Sequence, residues 1–126
     1  MKKVFLFLVV FLTGCALAPS TYDATLYDHY VNLSVNVSHA LSDCATPKIT
    51  ADLAKIRHES SVITLYTTYT STDLHTDSYL INRDISEMAN NYTNHTPSAA
   101  YCSLKLNIIS GEIQTVLQGL GKKDKK

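Results

Sequence analysis

Apolar residues recur along this chain in alternating steps of four and three, and the pattern is found four times. The first track is Leu26, Tyr30, Leu33, Val37, Ala40, Cys44. The second is Ile49, Leu53, Ile56, Ser60, Ile63, with Tyr66 or Thr67 next. The third is Leu74, Ser78, Ile81, Ile85, Met88, Tyr92, and the fourth is Cys102, Leu106, Ile109, Ile113, Val116, Leu120. Such spacing lines up side chains along one face of an α-helix. Between Cys15 and Ser110 there is no glycine, and hairpin turns lean on glycine. The pattern therefore predicts four helices and an all-α fold.

The breaks between tracks carry helix-start chemistry. Ser20-Thr21-Tyr22-Asp23 has the form of a capping box. Thr46-Pro47 and Thr96-Pro97 each pair a hydroxyl N-cap with proline at the first helical position. Ser71-Thr72-Asp73 supplies hydroxyls and an acid for the third start, and Gly119 and Gly121 are candidate stops for the fourth helix. Two segments pull the other way. Residues 31–38 alternate with period two, and residues 62–69 are rich in strand-favouring side chains. Helix is the expectation over both, because no turn residues bracket 31–38 and the first track runs through it. An α+β fold is the alternative.

In an up-down-up-down bundle the first helix ends where the fourth begins, and the two are neighbours. Cys44 closes track one and Cys102 opens track four, so both fall at one end on inward tracks. A disulfide is expected between them; two free thiols are the alternative. Neither cysteine has a second cysteine or a histidine at zinc-ligand spacing, so no metal site is expected. A bridge closing about 58 residues stabilises a small domain by about 4 kcal/mol in the chain-entropy model.

The first residues change the picture from a bundle to a bundle on a leash. Met1-Lys2-Lys3 precedes an apolar run, Val4–Leu12, too short to cross a bilayer as a mature helix, which takes ~20 residues. The run ends in Leu12-Thr13-Gly14-Cys15, which closely resembles the bacterial lipobox. The resemblance implies cleavage before Cys15 and lipidation of its thiol, with acylation of the new amine. Several acyl chains exceed what stable anchoring requires. Ala16, where an aspartate would typically retain the protein in the inner membrane, implies sorting to the outer membrane, facing the periplasm. The expected organisation is a signal peptide at 1–14, a lipidated linker at 15–20, a helical domain at 21–121 and a basic disordered tail at 122–126.

From Ala16 to Gly121 there are ten Asp/Glu and five Lys/Arg, a balance that argues against nucleic-acid binding. The tail Lys122-Lys123-Asp124-Lys125-Lys126 offsets part of this negative charge and is either a solvated end or a contact for anionic lipid or acidic sugar. Catalytic chemistry has no visible constellation: no nucleophile elbow, no phosphate-cradling glycine loop and no His-Glu-x-x-His. His29, His39, His58, His75 and His95 are scattered, with no two four residues apart. No enzyme, no cofactor and no small-molecule substrate is expected. The formal glycosylation sequons at Asn32, Asn36, Asn91 and Asn94 follow from an Asn/Ser/Thr-rich composition.

Apolar residues outside the tracks remain, among them Val62, Leu65, Tyr69, Tyr79, Leu80, Leu104 and Ile108. Either they widen the core stripe, or they line a surface that accepts a partner's amphipathic helix.

One further likeness sits in Leu41-Ser42-Asp43-Cys44 and in Thr96-Pro97-Ser98-Ala99-Ala100-Tyr101-Cys102, followed by an apolar helix. This arrangement resembles the pilotins of type II secretion systems. It covers about a third of the chain, and the Gly-Trp segment associated with that family is missing. The resemblance implies a lipid-anchored chaperone that binds the C-terminal helix of a secretin subunit. The rival class is a phage- or plasmid-encoded envelope lipoprotein acting in superinfection or entry exclusion, or in lysis.

Overall fold

The computed structural model describes residues 23–70 and 72–123. It is a four-helix bundle: α1 Ala24–Ser42, α2 Ile49–Thr70, α3 Thr72–Asn94 and α4 Ala99–Lys123. Each helix packs against two neighbours in the ring α1-α2-α3-α4, and the α3–α4 seam is the most sparsely joined. The signal, the lipobox, Cys15, the linker and Ser20–Tyr22 lie outside the described residues.

The four tracks form the core. Leu26, Tyr30, Leu33, Val37 and Ala40 of α1 meet Ile49, Leu53, Ile56 and Ile63 of α2, Ile81, Ile85 and Met88 of α3, and Leu106, Ile109, Ile113 and Leu120 of α4, all buried. Thr67, not Tyr66, continues the second track: Thr67 is fully buried, whereas Tyr66 is half-buried. Leu74 and Tyr92, at the ends of track three, are only partly covered. Both strand-like segments are helical. In 31–38 the track members Leu33 and Val37 are buried while Val35 faces water, which is the helical period winning over the period of two.

The tracks also bury polar groups, and Tyr30, Ser60, Thr67 and Ser78 each have a partner, whereas the buried hydroxyl of Tyr92 has none. Tyr30 Oη and Ser78 Oγ share a hydrogen bond of 2.6 Å across the ring from α1 to α3. Ser60 Oγ lies 2.8 Å from Asn82 Oδ1 and 3.0 Å from the Arg57 carbonyl. The Thr67 hydroxyl donates to the Thr64 carbonyl at 2.9 Å.

The helix ends differ in detail from expectation. Asp23 caps α1, its Oδ1 accepting from the Leu26 N–H at 3.0 Å. Thr46 Oγ1 accepts from the Lys48 N–H at 3.3 Å, but Pro47 stays in the entry turn and α2 begins at Ile49. Ser98, not Thr96, caps α4, accepting from the Tyr101 N–H at 3.1 Å. Residues 95–98 are spent on reversing the chain, which moves the helix start past Pro97. Gly119 and Gly121 do not stop α4, which runs to Lys123. Leu120 between them is buried, and that packing outweighs a cost of about 1 kcal/mol per helical glycine. Lys122 and Lys123, expected in a disordered tail, belong to this helix.

Cys44, just past the end of α1, is bonded to Cys102 in the first turns of α4, with Cα atoms 5.6 Å apart. The opposite end gathers the start of α1 and the end of α2, where Tyr66 Oη donates to Asp23 Oδ2 at 2.8 Å. The end of α4 lies there too.

Candidate protein-binding surface

All seven residues proposed for partner contact are exposed, from 36% for Leu80 and 38% for Val62 to 82% for Tyr69, and none is buried in the core. They do not form one surface. Val62, Leu65 and Tyr69 follow spacings of three and four on the outer face of α2, with Leu65 60% and Tyr69 82% exposed. Leu80 of α3 lines the α3–α4 seam, and Leu104 and Ile108 lie on the exposed side of α4. Tyr79, one residue before Leu80, is turned about 100° away from it around the helix. Val35 of α1 is a further exposed apolar residue.

The seam opens into a groove of about 300 Å³ lined by Leu74, Asp77, Leu80, Ile81, Glu112, Thr115, Val116 and Gly119. Leu104, Ile108, Glu112, Thr115 and Gly119 succeed one another by four or three along α4, so they share one strip. Glycine at 119 keeps the strip low: a Cβ there would meet no atom within 4 Å. On α3 the matching strip is Asp73, Asp77, Leu80, Asp84 and Glu87, with the same spacing. The reading from apolar residues alone passed over this row of acids beside the core track.

Glu112 is the unusual member. Its Oε2 is shut off from water and has no hydrogen-bond partner. Burial first, and the Asp84 carboxylate second, push its pKa above the usual carboxylate range, while Arg83 acts against them. Arg83 is itself engaged by Asp84, at 2.9 Å. At the far end of the seam Asn91 Nδ2 donates to Tyr101 Oη at 2.8 Å and closes it.

Elsewhere, a shallow cleft of about 570 Å³ lies between the two proline-containing loops beside the disulfide. Among the described residues no group of His, Cys, Asp and Glu could hold a metal ion, and no helix is long and apolar enough to cross a membrane. His29 stacks obliquely near Tyr66, with ring centroids 5.9 Å apart, and His75 Nδ1 lies 3.3 Å from the Thr68 hydroxyl. No family model, curated protein or solved structure matches this chain.

Proposed function

We propose that this protein is a lipid-anchored adaptor of the outer membrane that faces the periplasm and holds a protein partner, in the manner of a pilotin for a secretin. The observation that carries the reading is the exposure of large apolar side chains around a core that the four tracks already fill. Scattered apolar residues are ordinary on a surface. Rows of them along helix faces, beside an open groove, mark contact sites. The lipobox supplies the anchor, and the pilotin resemblance suggests a secretin's C-terminal helix as partner. The start of α1 and the end of α4 share one end of the bundle, so a lipid on Cys15 and the basic tail would face the membrane together. The helix faces would stay free.

The test uses the full chain in envelope preparations of its host, with a photocrosslinking residue at Leu65 or at Ile108. A discrete envelope protein is expected to crosslink from at least one position and to co-fractionate with the outer membrane. Cys15→Ala should release both from that fraction. If neither position crosslinks, or if the Cys15→Ala protein matures and stays in the outer membrane, the adaptor reading fails.

A further inference from the structure

We infer that the seam between α3 and α4 is the docking site, and that its occupant is an amphipathic helix whose apolar stripe is edged by lysine or arginine. This rests on the adaptor reading and names the partner's chemistry.

The shape of the seam comes first. The α4 strip from Leu104 to Gly119 rises about 22 Å along the helix. It runs beside the α3 strip, and the groove between them is a trough from Leu74 to Ile81 on α3 and from Glu112 to Gly119 on α4, about 10 Å along each helix. No sheet edge is available among the described residues to pair an extended peptide. A trough of this kind accepts a further helix packed alongside, at 8–10 Å between axes. The floor is apolar, made by Leu74, Ile81 and Val116, Leu80 stands at its lip, and exposed Ile108 lies one helical turn before Glu112 on the α4 strip.

Charge sets the rest. Five of the ten acids of the body, Asp73, Asp77, Asp84, Glu87 and Glu112, lie along these two strips. Between residues 73 and 119 of these two helices the cations are Arg83, paired with Asp84, and Lys105. A second copy of this chain would bring the same carboxylates together, which like-charge repulsion opposes. A basic helix meets the opposite condition. One of its side chains can meet the Glu112 carboxyl group, which lines the groove and whose Oε2 has no hydrogen-bond partner. A charged donor supplied there is worth more than the same pair in open solvent.

The experiment uses the oxidised full-length mature chain and two labelled synthetic peptides. Both are helix formers of about 15 residues with one leucine stripe, edged by lysine in one and by glutamate in the other. The lysine peptide should bind at least tenfold more tightly than the glutamate peptide at low ionic strength, and the gap should narrow with salt. Glu112→Gln should weaken the lysine peptide about tenfold. It should melt no lower than the parent at neutral pH, because burial disfavours the charge it removes. Ile108→Gln should weaken the lysine peptide, whereas Leu65→Gln on α2 should not. Equal affinity for the two peptides, unchanged binding by Glu112→Gln, or loss caused by Leu65→Gln would each overturn the assignment. A crosslink in the envelope from Leu65 alone, with no binding of the lysine peptide, would leave the adaptor reading standing and remove only this site.

Discussion

The hydrogen bond between Tyr30 and Ser78 places two hydroxyls where the tracks call for hydrocarbon. Burial pushes the Tyr30 phenol above its ordinary pKa, and Asp77 pushes the same way, while the Ser78 bond acts against both. The pair is stable only as a pair. Tyr30→Phe leaves the Ser78 hydroxyl buried without its partner, and Ser78→Ala leaves the phenol likewise. Each should cost about 1–2 kcal/mol, and the double variant should cost clearly less than their sum. Urea unfolding of the four proteins measures this, and strict additivity would mean that the hydroxyls do not interact. The sequence shows a serine in track three and a tyrosine in track one. It does not show that they meet, since they sit on helices across the ring. The same holds for Glu112. Its residue type is plain, but its burial arises from the spacing between two helices that no local pattern encodes.

Among the elements, the helices themselves were legible and their ends were less so. Spacings of four and three survived Val31, Val35 and the β-branched run 62–69 because packing of one face outweighs intrinsic propensity. Ends depend on competition between neighbouring hydroxyls, so Ser98 displaced Thr96, and on whether the next apolar residue can still be buried, so α4 passed through both late glycines. Its remaining glycine offers a test. Gly111 is exposed within the helix, and a Cβ there meets no atom within 4 Å. Gly111→Ala should therefore stabilise the bundle by about 0.5–1 kcal/mol, raising Tm by roughly 3–6 °C. A melt showing no rise or a fall would mean that helix propensity does not limit α4.

For the whole molecule, up-down-up-down order and the Cys44–Cys102 pairing followed from one argument about which helix ends coincide, and the structure has both. The seven apolar residues outside the tracks are exposed but lie on separate faces. Exposure was anticipated as one of two readings, but one groove became two separate patches, because Val62, Leu65 and Tyr69 ride a different helix from Leu104 and Ile108. The acidic row on α3 obeys the spacing of a helix flank and was there to be read. It went unseen because hydrophobic periodicity ignores charge.

The disulfide has a mechanical meaning in such a molecule. A tether at the start of α1 and a load borne by α4 are joined by an all-covalent route: up α1, across Cys44–Cys102, and down α4. Tension along that route bypasses α2 and α3. Once the bond is cut, the same pull must unravel both. The bond spans a sequence separation of 58, so in single-molecule stretching from the two chain ends the reduced protein should lengthen by roughly 200 Å more than the oxidised one. Equal extensions would mean that the bond carries no force.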